Sequence, residues 1–317
     1  MRDDLISSIN KKVLTNKELI ALKIIFNSNN AVYKLIEHNL SLDEIVSLNE
    51  EQLKGLNFRA TSNILDKLKN YDLYEQKSID AIDWCEDNAV KIISIFDSQY
   101  PKSVKEISHP SCLIFCLGNI DLLKSTNSIA VIGTRKCSEY GEKIAAGVSN
   151  YFASNDINII SGLALGIDTI AHEQSLKCNG KTTGVLIDLK QISPHKNINL
   201  ARKIVESDGL LIAENVPGTL PEKYHYLARN RLQSALSKCV FIIEASLKSG
   251  TNATAEFAIS QNKKIYCPDY SRVRGYSVPS QISELPQKLT SNGLAESFTK
   301  DNYDQILEFL TNDTPIN

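Results

Sequence analysis

The chain is predicted to be an α/β protein: a Rossmann-like, doubly wound and mainly parallel sheet preceded by a small all-α domain of the SAM-like or helix-hairpin-helix kind. Three observations predict this. From residue 90 onward, short runs rich in β-branched residues alternate with helical stretches, the pattern of a parallel sheet covered on both faces. Several of those runs pass through a glycine-containing turn straight into a helix. Before residue 90, apolar residues recur at helical spacing instead.

Residues 1–72 read as short helices. Leu19, Ile20, Leu22, Ile24, Ile25 and Phe26 form the first clear apolar helix, and Leu35, Ile36, Leu42, Ile45 and Leu48 continue the pattern. Ser41-Leu-Asp-Glu44 and Asn49-Glu-Glu-Gln52 have the form of capping boxes, in which a side chain at each end satisfies the other's backbone N–H. A Lys54-Gly55-Leu56 turn fits a hairpin that could touch DNA backbone, and fits packing or protein contact better. Residues 73–89 are expected to be a linker helix anchored by Trp84, the only tryptophan.

The predicted strands are Val90–Phe96, Cys112–Leu117, Ile129–Ile132, Ile157–Ile160, Thr183–Ile187, Leu210–Ile212, Val240–Ile243 and Lys264–Cys267. They define a sheet domain over residues 90–275. Residues 276–317 are expected to form a short tail with one helix, Tyr303–Leu310, and no winged-helix domain.

Four turns carry the candidate chemistry. Gly133, Thr134, Arg135 and Ser138 follow the third strand. Ser161, Gly162 and Gly166 follow the fourth. Arg229, Asn230 and Arg231 open a helix, and Lys248, Ser249, Gly250 and Thr251 follow the seventh strand. Glycine lets backbone approach a ligand, and a helix start presents free N–H groups and a positive dipole end, so phosphate is the natural guest. In an open parallel sheet such turns gather at the carboxyl edge. Arg229 and Arg231 would diverge by about 200° on a regular helix, so one of them can face a ligand while the other pairs with an acid such as Glu244; Glu214, at the end of another strand, is also placed to hold an arginine. Tyr140, Tyr224, Tyr226 and His225 supply rings on which bases could stack.

Composition narrows the class. With 42% hydrophobic and 23% charged residues the chain is an ordinary globular protein, and a net charge of −2 means that any DNA-binding surface must concentrate its basic residues locally. Seven irregularly spaced cysteines suit a reducing cytoplasm. Cys112 and Cys116 lie in an apolar run and read as core thiols, so no metal site is expected. The acidic opening Met1-Arg2-Asp3-Asp4 has no apolar core behind it, and no stretch approaches the roughly 20 apolar residues of a membrane span.

Gly133-Thr134-Arg135, the run Ser161-Gly-Leu-Ala-x-Gly-Ile-Asp168 with His172, Arg229-Asn230-Arg231, and Glu244-Ala with Ser249-Gly-Thr251 match in order and spacing the motifs of the DNA-processing protein A family, also called DprA or Smf. The chain resembles this family over about residues 97–268. It departs from it at Tyr226-Leu227, where members carry Phe-Pro. It departs again at Asp188–Pro194, which replaces a Gly-Leu-Asp…Tyr-Pro segment, and at Pro268-Asp269, which replaces Pro-Gly. The resemblance implies a non-enzymatic, cofactor-free, cytoplasmic protein that binds single-stranded DNA. It would protect incoming DNA during natural transformation (competence), deliver it to the RecA recombinase for recombination, and form a homodimer through the sheet domain. It also adds His195, Lys196 and Asn197, after the fifth strand, to the phosphate-binding set.

Two other readings use the same turns. A nucleotide-binding sensor would hold a free nucleotide without turnover. A nucleoside-monophosphate phosphoribohydrolase of the lysine-decarboxylase-like group would use a glycine-threonine turn followed by a glutamate. Glu256 follows Thr251 by five residues, but that group's Pro-Gly-Gly-x-Gly-Thr cluster is missing.

Overall fold

The computed structural model describes residues 12–58 and 61–312. They divide into two units: residues up to Phe115 together with Asn215–Pro217, and Cys116–Glu214 together with Gly218 onward.

The first unit is a helical bundle of α1 (Asn16–Phe26), α2 (Asn29–Glu37), α3 (Leu42–Val46), α4 (Glu50–Gly55), α5 (Thr61–Lys69) and α6 (Tyr71–Asp87), with β1 (Lys91–Ser94), the four-residue α7 (Lys102–Lys105) and the first half of β2 (Leu113–Gly118). α1 buries Leu19, Ile20, Leu22 and Ile25. Thr15 and Glu18 close a capping box at its start, and the two boxes read from sequence, Ser41/Glu44 and Asn49/Gln52, start α3 and α4. The expected linker helix is part of this bundle. α6 packs along α1 and buries Ser78, Ala81 and Cys85, while Trp84 is half-buried. The unit therefore runs to Phe115 rather than stopping near residue 72. Nor is Gly55 a strained hairpin residue: Asn57 takes the left-handed conformation at φ 58°, and a Cβ on Gly55 would meet nothing.

The second unit is a sheet with helices on both faces. Its strands are the second half of β2, then β3 (Ser128–Ile132), β4 (Asn158–Ser161), β5 (Thr182–Leu186), β6 (Leu210–Ala213), β7 (Cys239–Ile242), β8 (Lys264–Pro268) and β9 (Glu296–Phe298), hydrogen-bonded in the order β2-β6-β5-β4-β3-β7-β8-β9. The pairs from β6 to β9 are all parallel. The helices are α8 (Glu139–Ala153), α9 (Ile167–Lys177), α10 (Ile198–Glu206), α11 (Lys223–Ala235), α12 (Gly250–Ser260), α13 (Ser280–Ser291) and α14 (Tyr303–Thr311).

Strand pleating explains the unbroken apolar runs. Ile129 and Val131 of β3 and Phe241 of β7 pack with Val148 and Phe152 of α8 and with Tyr303 and Leu310 of α14. Their neighbours Ala130, Ile132, Val240 and Ile242 point the other way, onto Ala255, Ala258, Leu285 and Leu289. Both faces are covered, so the central strand positions are apolar on both sides and the few polar strand residues, such as Asn158 and Thr183, are buried and hydrogen-bonded to each other. The C-terminal segment is not a tail with one helix. It contributes α13, α14 and β9, and Phe298 sits 5.0 Å from the Phe241 ring in the core. Among the described residues, no helix is long and apolar enough to cross a membrane.

β3 pairs with β4 on one side and β7 on the other. From β3 the chain winds outward through β4, β5 and β6, then returns to β7 and winds the other way. The β3–β7 junction is thus the topological switch point, the place where open α/β sheets leave a crevice at their carboxyl edge.

Candidate functional site

A cleft of about 320 Å³ opens at that switch point, between the turn after β3, the start of α12 after β7, and one face of α11. Its floor is made by close backbone packing. A Cβ on Gly133 would lie 2.7 Å from Ile167 Cγ1 and 2.9 Å from the Glu244 carbonyl oxygen. Gly166, at φ 78°, lets the next turn press on the Thr134–Arg135 backbone. The Thr134 amide donates to Glu244 O at 2.6 Å, and Thr134 O accepts from the Ile167 amide at 3.2 Å. These bonds stitch three turns together and leave Arg135 exposed at the lip, its guanidinium 5.8 Å from the centre of the Tyr226 ring.

Arg229 forms the inner wall. It is 6% exposed, and its guanidinium lies so close over Gly162 that a Cβ there would collide with it. The Gln233 carboxamide, turned to suit its neighbours, accepts from the Arg229 terminal nitrogen at 2.6 Å and from the Gly162 amide at 2.8 Å. The Arg229 Nε has no partner. Asp168 offsets the charge from below. It is buried, accepts from the amides of Gly162 (3.1 Å) and Ala164 (3.3 Å), and burial holds its pKa above the usual carboxylate value although Arg229 opposes that shift. Gln233 was not singled out from sequence. Its signal was its position four residues after Arg229, on the same helical face.

The start of α12 supplies the third wall. Ser249 is the N-cap, but its hydroxyl donates to Ser246 O at 2.6 Å and does not cap the helix. The first turn of α12 is therefore uncapped where Gly250 and Thr251 line the cleft. Asn230 Nδ2 donates to Gly250 O (3.0 Å) and Thr251 Oγ1 to Gly133 O (3.4 Å), which fixes α12 against α11 and the β3 turn. Lys248 is exposed in the turn after β7, and His195 and Lys196 are exposed on the 3-10 turn that leads into α10.

Four candidates have internal work instead. Arg231, 7% exposed, is bidentate to Glu214 at 2.7 and 2.6 Å and also donates to Ala228 O, so the acid that holds an arginine is Glu214 and not Glu244. Asn197 is buried and donates to Leu163 O, Ala164 O and Thr169 Oγ1, bracing the turn after β4. Ser161 Oγ donates to Val131 O at 2.7 Å. Ser138 caps α8 by accepting from the Gly141 amide and gives its own N–H and O–H to the Glu244 carboxylate at 2.9 and 2.5 Å. The α8 helix start, read from sequence as a phosphate seat, is filled by a carboxylate of this chain.

Asp168 and His172 do not act as a dyad. Thr182 Oγ1 gives its proton to Ile159 O (2.6 Å), so the His172 Nδ1 2.7 Å away must be the donor to that hydroxyl. Nε2 is buried without a partner, and burial, with the Arg229 charge as a lesser cause, pushes the imidazole pKa down to about 3. His172 is neutral and structural. Of the four candidate rings only Tyr226 lines the cleft. Tyr140 clusters with Tyr270 and Tyr276, His225 is buried and accepts from the Glu222 amide, and Tyr224 rests on His225. Glu256 is exposed on α12, accepts from Asn252 Nδ2 at 2.9 Å, and is not among the cleft residues.

Known proteins resemble this chain over most of its length. The DNA processing protein DprA of Bacillus subtilis is 33% identical over 57% of the chain, which spans 61% of that relative's length. The DprA of Streptococcus pneumoniae is 32% identical over 83% of the chain and 90% of its own. The solved Streptococcus pneumoniae DprA structure superposes with a TM-score of 0.74 at 29% identity, covering 91% of this chain and 96% of that one. A Helicobacter pylori DNA processing protein A, whose structure concerns its single-stranded DNA binding mode, gives a TM-score of 0.60 at 28% identity over 69% and 96%. Residues 91–311 match the sequence model of the DNA recombination-mediator protein A family, and the chain belongs to that family of DNA-processing proteins.

Proposed function

We propose that this protein binds single-stranded DNA by its backbone at the switch-point cleft and does so without chemical turnover or a cofactor. The observation that carries the reading is Arg229: a nine-tenths-buried guanidinium held on the cleft wall beside Gly162 and Gln233. Asp168 balances its charge from below, which lets the guanidinium sit desolvated where it can attract a phosphate in the cleft. Arg135 at the lip and the uncapped amides of α12 converge on the same space. Lys196 and Lys248 extend the positive rim along the strand's path, His195 offers a hydrogen-bonding ring beside Lys196, and Tyr226 offers a face for a base. The family relation adds protection of the strand, delivery to RecA and a homodimer to the proposal. The single-stranded DNA binding mode seen in the Helicobacter pylori relative agrees with it.

A nucleotide hydrolase would need a carboxylate aimed at the ribose. Glu256 is outside the cleft, and Asp168 is occupied by two amides. The test is a titration of fluorescent oligo-dT and of the matching duplex across salt. Single strands should bind more tightly, with a log–log salt slope that reports the phosphates contacted. Equal affinity for duplex, or a flat salt response, ends the proposal. Co-precipitation with RecA, with and without oligo-dT, tests the delivery step separately.

A further inference from the structure

Two helix starts open side by side on the carboxyl edge of the sheet, α8 after β3 and α12 after β7, and β3 and β7 are hydrogen-bonded neighbours. Each has the dipole and the free amides that suit phosphate. Only one is open. At α8, Glu244 receives the Ser138 amide at 2.9 Å and the Ser138 hydroxyl at 2.5 Å. The fit is built into the helix. Gly141 lies in the first turn of α8, and a Cβ there would collide with the carboxylate. Glu244 is fully buried, and the Glu244 carbonyl oxygen is itself tied to the Thr134 amide, so the residue is held at both ends.

We propose that Glu244 is a resident carboxylate that keeps phosphate off the α8 start and so leaves one of these two neighbouring helix starts, α12, to take phosphate, selecting a single backbone phosphate over the diphosphate of a free nucleotide. In doubly wound folds the diphosphate of a dinucleotide sits at the helix start of a switch-point turn. Here that position is filled by the Glu244 carboxylate and has no room for a second oxyanion. The diversion of phosphate to α12 rests on the DNA-binding reading above; the occupation of α8 does not.

Deleting the carboxylate should create an anion site. In the full chain, Glu244→Ala should be stabilised by sodium formate and by inorganic phosphate, at constant ionic strength, by roughly 2–4 °C in Tm beyond the response of the unaltered protein. The same variant should bind ADP at least about tenfold more tightly, a difference of about 1.4 kcal/mol. An anion response equal to that of the unaltered protein overturns the proposal, and so does rescue by formate without phosphate. Should the alanine variant not fold, Glu244→Ser is read in the same way. If neither folds in chloride, recovery of folded protein by refolding in phosphate supports the proposal, and failure in every anion sinks it. Loss of oligo-dT binding by the unaltered protein would remove the DNA reading alone.

Discussion

Arg229 and Arg231 are two positions apart on α11 and equally buried, at 6% and 7% exposure, yet they should fail in opposite ways. Arg231 is satisfied inside the protein by three hydrogen bonds, two of them to Glu214, which is 2% exposed. Arg231→Met takes the guanidinium away from that buried carboxylate, at a cost of roughly 3–5 kcal/mol. Replacing both partners, Arg231→Met with Glu214→Leu, should recover most of the loss, because the penalty belongs to a buried charge that has lost its counter-charge. Arg229→Gln removes a guanidinium with an unpartnered Nε, while Asp168 keeps the amides of Gly162 and Ala164. Asp168 loses its opposing charge but keeps two amide donors, so the stability cost should stay below that of Arg231→Met. The binding cost of Arg229→Gln is that of a lost charge-assisted bond to phosphate, about 1.5–3 kcal/mol. At about 1.4 kcal/mol per decade this is roughly 10- to 100-fold in Kd. Thermal melts and oligo-dT anisotropy at one fixed salt concentration separate the two. Arg229→Gln with unaltered affinity, or Arg231→Met with an unaltered melt, would refute the assignment of ligand arginine and structural arginine.

Arg135→Ala should weaken binding evenly across sequences and lower the salt slope by about one counterion, because an exposed lip arginine reads backbone and not base; a change in sequence preference would put Arg135 against a base instead. His172 has its pKa lowered to about 3 by burial, so the folded state resists a proton that the unfolded chain accepts below pH 6.5. Stability is therefore held above pH 6.5 and lost as pH falls from there toward 3, with a slope approaching 1.4 kcal/mol per pH unit from this one group. His172→Gln should flatten that part of the acid-denaturation curve, and an unchanged slope would mean the imidazole is not the group responsible. Glu256→Gln should leave oligo-dT affinity unchanged, and the unaltered protein incubated with nucleoside monophosphates should release no free base. Release that vanishes in Glu256→Gln would replace the binding reading with an enzyme.

Much of the fold was legible because burial on both faces of a parallel sheet demands unbroken apolar runs, and β1 to β8 lie within a few residues of such runs. β9 was not legible. It is three residues long, with Glu296 and Ser297 exposed and only Phe298 buried, so an edge strand left a single apolar letter. α13 carries Pro286 inside it, which reads as a breaker. Similarly, the glycine turns of the site were visible because Gly133, Gly162 and Gly166 are forced by close approach of another segment, and that requirement sits in the residue itself. The direction of each charged or polar side chain does not. Arg229 and Arg231 lie in one short run, and Gln233 and Glu214 decide which one faces the cleft. Asn197 follows two basic residues and looks like part of a rim until Leu163, Ala164 and Thr169 claim its amide. The anion at the α8 start comes from 106 residues further along the chain. A helix start in a sequence announces that some anion will be stabilised there; whether the anion is a ligand or the protein's own carboxylate depends on a tertiary neighbour that no window around Ser138 contains.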